Sequence, residues 1–225
     1  MTRPTVAAIV PMRHNSERVP GKNFRSFAGR PLYHRIVETL LGCAAIDSVV
    51  IDTDSPTILE EAARLFPAVR LLERPAHLRA GETPMNDVLL HTTGVVEADL
   101  YLQTHSTNPL LRSATVQQAL EVLLATYPSF DSLFGVTRLQ TRLWDSLARA
   151  VNHNPSILLR TQDLPPIYEE NSCLYVFDRD TLLRGHNRIG DRPQLFEVPP
   201  NEAWDIDEEI DFEVAEFLFQ KRQEG

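Results

Sequence analysis

Short apolar runs recur along the chain, and between them lie longer stretches whose apolar positions return every three or four residues. The runs at 6–10, 48–51, 69–72, 100–103 and 133–136 are bounded by turn-forming or charged residues and predict β-strands. Helical periodicity marks 31–41, 56–66, 84–93 and 114–127. Three of these stretches open on a proline suited to the first helical position, with Ser55 and Thr83 placed to cap two of them. Strand and helix alternate, so the expected class is α/β, with a mostly parallel sheet covered on both faces. Such sheets bind ligands beyond the carboxyl ends of their strands, which directs attention to residues 11–23, 52–54, 73–83 and 103–112.

The pattern loosens between 139 and 166, where Arg142, Trp144, Asn152, His153, Asn154 and paired prolines break any period. It resumes with an alternating strand at 173–177, a short helix, a strand near 196–198 and a last helix from about Glu208. Structureless loops of that length are uncommon in compact domains. Residues 139–166 are therefore expected to form an excursion that packs on a second subunit, rather than a plain surface loop.

Composition narrows the class further. A length of 225 residues suits one hydrophobic core, hence a single domain over 1–225. The balance of 43% apolar and 24% charged residues excludes a disordered tail, a collagen-like fibre and a disulfide scaffold. Cys43 and Cys173 are too far apart to form a zinc or redox motif, and two cysteines fit a reducing compartment. The apolar run near the start is broken by Arg13, and no run approaches a membrane span, so a cytoplasmic protein is expected. A net charge of −9 excludes extended nucleic-acid binding.

The charge is unevenly distributed. Arg13, Arg18, Lys22, Arg25, Arg30 and Arg35 lie close together near one end, opposed only by Glu17, while Asp205, Asp207, Glu208, Glu209 and Asp211 crowd the other. A basic cluster suggests a small anionic ligand and an acidic one a cation, with solvated surface faces as the alternative for both. The loop after the first strand, residues 11–23, lacks the glycines of a dinucleotide fingerprint. It also fails the P-loop pattern, with Ser16 and Asn23 where Gly and Ser or Thr would stand. What it does deliver is Arg13, Arg18 and Lys22, with a Pro20-Gly21 turn before the lysine. That suits a triphosphate held by side-chain cations. Lys22 is one of two lysines beside twenty arginines, which hints that a compact ammonium matters there.

Asp205 and Asp207 alternate, so in an extended segment their carboxylates share a face, with Asp211 four residues on. Mg²⁺ is usually held by one or two carboxylates plus phosphate oxygens. Capping competes: Asp207 as N-cap, with acids in the first helical turn, gains about 0.3–1 kcal/mol each from the helix dipole. Capping does not account for Asp205. His14, His105 and His153 are weak candidates for a general base, and Arg142 and Arg160 for meeting a carboxylate. Trp144 and Trp204 read as packing residues.

The run from Ile9 to Asn23, followed by Gly29-Arg30-Pro31-Leu32, resembles the opening signature of the acylneuraminate cytidylyltransferases, to which the CMP-Kdo synthetases are related. Arg74-Pro75, Tyr168-Glu169-Glu170-Asn171 and Trp204-Asp205-Ile206-Asp207 extend the resemblance over most of the chain. It implies a three-layer Rossmann-like nucleotide-diphospho-sugar transferase fold, usually a homodimer, with 139–166 as the dimerisation excursion. The implied reaction transfers CMP from CTP to a sialic-acid-like 2-keto-3-deoxy sugar acid, releasing pyrophosphate with Mg²⁺. By position, Arg13, Ser16, Lys22, Asn23, Arg74 and Gln103 would hold the nucleotide. Gln103, Tyr168 and Asn171 would meet the sugar, Asp205 and Asp207 the metal, with Arg13, Lys22 and Asp207 catalytic.

The chain differs from the family pattern over Leu102–Pro109, a run about two residues longer, at Ser172 in place of a glycine, and at Leu78–Glu82. All three bear on the acceptor. A Kdo-like acid, another carboxylate- or phosphonate-bearing alcohol, or a nucleotide-binding protein without catalysis therefore remain alternatives.

Overall fold

The structure is a computed structural model and describes residues 3–16 and 18–224, so Glu17 lies outside it. Strand β1 (Val6–Met12) is buried at all seven positions, which marks a central strand covered on both faces. A tight turn at Lys22–Phe24 and a two-residue hairpin, β2 (Ser26–Phe27) with β3 (Arg30–Pro31), lead into α1 (Leu32–Leu41). β4 (Ser48–Thr53), α2 (Pro56–Leu65), β5 (Val69–Glu73), α3 (Met85–Val95), β6 (Leu100–Thr104) and α4 (Ser113–Thr126) continue the alternation. β7 (Ser132–Leu139), β8 (Ile167–Phe177), α5 (Arg179–Gly185), β9 (Pro193–Glu197) and α6 (Glu209–Glu224) complete it.

The main sheet runs β5-β4-β1-β6-β8-β7-β9. β8 alone is antiparallel to its neighbours, so the mostly parallel sheet expected from the alternation is present. Side chains of β1 alternate between two cores. Val6, Ala8 and Val10 pack with Ile36, Val37 and Leu40 of α1, Ile58 of α2 and Leu120 of α4. Ala7 and Ile9 pack on the other face with Leu89 of α3, Tyr175, Phe177 and Leu182 of α5. This is the three-layer arrangement.

A third cluster decides where the site lies. Val19, Phe27 and Leu32 from the start of the chain pack with Ile206, Phe212 and Ala215 from its end. Apolar burial of this kind, about 25 cal/mol per Å², draws the basic loop and the acidic segment together. Glu202 fixes the approach: its buried carboxylate accepts from Arg112 N (2.9 Å) and Thr115 Oγ1 (2.7 Å) at the open N-terminus of α4.

Several boundaries move. Pro31 and Pro84 sit at the cap position, one residue before their helices, and neither has a side chain able to cap. Ser55 does cap, its Oγ accepting from Ile58 N, with Pro56 in the first turn. β8 begins six residues before the alternation that predicted it. Tyr168, Glu169 and Glu170 pair with Arg138, Thr137 and Val136 on an exposed ribbon where no burial imposes alternation. Within residues 139–166 the chain makes a bridge between Trp144 and Ala150 and a short turn at Thr161–Asp163, leaving Leu147, Ile157 and Leu158 more than half exposed.

Candidate active site

Residues from five segments converge beyond the carboxyl ends of β1 and β6, around a cleft of about 430 Å³. Arg13, Ser16, Lys22 and Asn23 line it from the loop after β1, His105 and Thr107 from the loop after β6, and Ser172 from β8. Gly81 and Met85 line it from the segment around the start of α3, and Asp205 and Asp207 from the approach to α6. Gly21, at φ +66°, supplies the left-handed turn that presents Lys22.

The basic loop is braced rather than loose. Asn23 is buried, its Nδ2 donating to Arg13 O (2.9 Å) and its Oδ1 accepting from Ser106 Oγ (2.6 Å). Both polar ends are thus spent on shaping the loop. His14 N donates to Asp54 Oδ1 (2.7 Å), and its ring Nδ1 meets Ser55 Oγ (2.8 Å). Lys22 Nζ donates to Ile206 O across the cleft. Burial pulls the Lys22 ammonium below its ordinary value, while the charges of Asp205 and Asp207 oppose that shift.

The acidic segment is extended and pinned by Ile206 N donating to Thr107 O (2.9 Å). Burial, with Asp207 adding to it, pushes the Asp205 carboxyl above its ordinary range, against a hydrogen bond from Thr107. Asp205 Oδ1 is buried and has no hydrogen-bond partner. A buried carboxylate oxygen left unpaired is costly, and a hard cation would satisfy it. Among the described residues no group of three acidic, histidine or cysteine side chains forms a closed metal cage. Two carboxylates with an orphan oxygen fit an ion that takes its other ligands from phosphates and water, as Mg²⁺ does.

The capping alternative does not describe Asp207. Its carboxylate is ion-paired with Arg18 (2.6 Å), both side chains being about half exposed. Asp211 does the local work: its Oδ2 accepts from Asp207 N (3.1 Å) and Glu208 N (2.8 Å), covering open donors at the start of α6.

Four other residues do not line the cleft. Arg74 is sealed at 1% exposure, its Nε on Asp52 Oδ1 at 2.6 Å and its Nη2 on Asp52 O at 3.1 Å. Gln103 is fully buried between Arg188 and His105. Tyr168 is exposed on the β7–β8 ribbon. Asn171 braces that ribbon, donating to Thr137 Oγ1 (3.2 Å) and accepting from Cys173 N (3.2 Å). Gly135 faces it, where a Cβ would come within 2.8 Å of Asn171 Oδ1. Ser172 has φ +57°, the left-handed conformation that explains why glycine suits this position.

His105 is not placed as a base. Arg188 Nη1 donates to Gln103 Oε1 (2.7 Å), which orients the amide so that its Nε2 donates to His105 Nε2 (2.9 Å). The neutral ring then carries its proton on Nδ1 and has no spare lone pair. Burial, then the charges of Arg188 and Lys22, push the imidazole down to about 4. Arg142 donates to Leu159 O and Arg160 pairs with Asp163 (2.7 Å), both outside the cleft. His153 lies against Trp144, a ring contact of 4.9 Å on the excursion.

The chain matches a family model described as cytidylyltransferase over residues 7–223. An N-acylneuraminate cytidylyltransferase of Oncorhynchus mykiss is 27% identical over 218 residues, covering 94% of this chain and 49% of that protein. A pseudaminic acid cytidylyltransferase of Campylobacter jejuni is 25% identical over 236 residues, covering 96% of this chain and 97% of that protein. The chain thus spans about half the length of the fish enzyme and nearly all of the bacterial one. The solved structure of a CMP:2-keto-3-deoxy-manno-octonic acid synthetase complexed with CTP superposes with a TM-score of 0.71 at 18% identity, covering 97% of this chain and 99% of that one. Among the described residues no helix is long and apolar enough to cross a membrane.

Proposed function

The chain belongs to the cytidylyltransferase family, and from that premise we propose that it transfers CMP from CTP to the anomeric hydroxyl of a sialic-acid-like 2-keto-3-deoxy sugar acid. The hydroxyl oxygen forms a bond to the α-phosphorus, the bond from that phosphorus to the bridging oxygen breaks, and pyrophosphate leaves. The hydroxyl proton passes to solvent. One observation carries the reading: Lys22 and the Asp205–Asp207 segment, some 184 residues apart, meet in one cleft where Asp205 Oδ1 stands buried and unpaired.

In this reading Arg13 and Lys22 hold the triphosphate. Lys22 offsets charge that grows on the phosphates as the bond breaks. Asn23 and Ser106 keep the loop in place, so that cost of ordering is met before the nucleotide arrives. Asp205 and Asp207 would hold Mg²⁺, whose chemistry is to neutralise phosphate charge and to acidify the acceptor hydroxyl. Arg18 would have to release Asp207 as that happens. The names of the two sequence relatives, for N-acylneuraminate and pseudaminic acid, support a sialic-acid-like acid as acceptor. The exposed Leu147, Ile157 and Leu158 support residues 139–166 as the contact with a second copy.

Thermal shift and pyrophosphate release test the reading together. With Mg²⁺, CTP should stabilise the protein more than UTP, ATP or GTP, by roughly 2.7 kcal/mol at about 100 times Kd. Equal shifts with all four nucleotides would leave only a triphosphate site. Pyrophosphate should then appear with nine-carbon 2-keto-3-deoxy acids and not with neutral sugars. A monomeric mass by light scattering would remove the second copy.

A further inference from the structure

Arg188 lies on the loop between α5 and β9, outside every motif that pointed to the site. Its guanidinium is stacked over the Tyr175 ring at 3.6 Å and donates through Nη1 to Gln103 Oε1 at 2.7 Å. Among the described residues it forms no ion pair. The residue is partly exposed, and none of its nitrogens is both fully buried and unpaired. A half-buried cation held by an aromatic face and a neutral amide keeps its charge and its planar fork free for a ligand.

The loop beneath it is held firmly. Asp131, buried just before β7, accepts from Asp191 N and Arg192 N at 3.1 Å, and Ser132 Oγ accepts from Gly190 N at 2.8 Å. A Cβ at Gly190 would come within 2.3 Å of Asp131 Oδ1, so the backbone there must be bare. The guanidinium is therefore carried on a fixed support rather than a swinging loop.

Its place relative to the cleft follows from its neighbours. Gln103 joins Arg188 to His105, and Tyr175 OH, which donates to Glu170 Oε1, lies 3.3 Å from Ser172 Oγ, both His105 and Ser172 being cleft-lining residues. His105 feels the charge of Lys22 as well as that of Arg188, so both cations lie near one neutral imidazole. Arg13 and Lys22 face the triphosphate, Arg18 is occupied by Asp207, and Arg74, Arg142 and Arg160 are turned away. Arg188 does not itself line the cleft, but it lies beside the cleft-lining His105 through Gln103 and is in no ion pair among the described residues.

We infer that Arg188 is a specificity-determining residue that binds the carboxylate of the acceptor, its fork supported by Gln103 and Tyr175. This rests on the reading of the protein as a CMP transferase acting on a sugar acid. The fork meets the two carboxylate oxygens, so acids bind and their neutral counterparts do not. Gln103 then acts one residue removed from the substrate, by orienting Arg188, and not as a nucleotide ligand.

The test compares wild type, Arg188→Gln and Arg188→Lys on a sugar acid and on its carboxamide, with CTP and Mg²⁺ saturating. Wild type should prefer the acid by about 10–100-fold in kcat/KM, the range of a charge-assisted hydrogen-bond pair. Arg188→Gln should raise KM for the acid by a similar factor, treat acid and amide alike, and keep the CTP-induced melting shift. Arg188→Lys should keep a partial preference. An Arg188→Gln protein that still prefers the acid as wild type does would overturn the assignment, as would loss of the CTP shift together with activity. If wild type turns over no sugar acid while CTP still shifts its melting, the proposed reaction fails and takes this inference with it.

Discussion

Asp52 and Asp205 are carboxylates in two regions of one molecule, and their surroundings differ in how fully their oxygens are used. Around Asp52 every oxygen is used: Oδ1 accepts from Arg74, Oδ2 from Thr92 Oγ1 at 2.6 Å, and the backbone oxygen from Arg74 again. Both Asp52 and Arg74 are sealed from solvent. Around Asp205 one buried oxygen has no partner, Asp207 repels it, and the nearby Lys22 ammonium donates to a backbone carbonyl instead. A closed network of this kind rigidifies the junction of β4, β5 and α3, whereas an open one holds capacity for a ligand at some expense in stability. The difference separates a charge pair that serves the fold from one that serves chemistry.

Breaking the closed region should have the largest effect. Arg74→Ala leaves Asp52 buried and unpaired and should cost about 3–5 kcal/mol in urea unfolding. The folded fraction should still bind CTP with near-normal affinity. A loss of CTP affinity without a loss of stability would return Arg74 to the nucleotide site and erase the contrast.

Substitutions in the open region should do the reverse. Lys22→Ala and Asp205→Asn should each lower turnover by roughly 10²–10³. The Asp205 carboxyl is held above its ordinary range in the folded chain, so ionising it near neutral pH works against folding. Asp205→Asn should therefore melt no lower than the parent, and Asp207→Asn, which gives up only a half-exposed pair with Arg18, should shift melting little. A clear drop in melting temperature for Asp205→Asn would mean that its carboxylate is structural, like Asp52.

His105 lies between these cases and offers the smallest effect. It takes up its proton near 6.5 when unfolded and near about 4 when folded. Between those values the unfolded chain binds more protons, so stability rises with pH across the window and is lost as pH falls through it. The loss is at most roughly 3 kcal/mol. His105→Gln should flatten this part of the pH–stability curve. An unchanged curve would show that the ring is not held neutral by Arg188, Lys22 and burial.

The main strands and the long helices were legible in the sequence because burial on one or both faces imposes a local period. The outer half of β8 was not, because Tyr168, Glu169 and Glu170 are held by backbone pairing on an exposed ribbon. Within the site, Arg13, Ser16, Lys22, Asn23, Asp205 and Asp207 could be picked out from local motifs, and all line the cleft. Arg188 could not, since an arginine among seven loop residues carries no pattern of its own.

Local sequence pattern settled which segments become strands and helices, that their alternation builds a mostly parallel sheet, and which side chains carry charge near the strand ends. Those features depend on neighbours within a few residues. Tertiary structure alone decided which charges are neutralised. Arg74 is sealed by Asp52, 22 positions away, Arg18 is taken up by Asp207, 189 away, and Gln103 is turned by Arg188, 85 away. A guanidinium looks the same in every sequence context, and whether it binds a ligand or holds the fold depends on which acceptor the folded chain brings within about 3 Å.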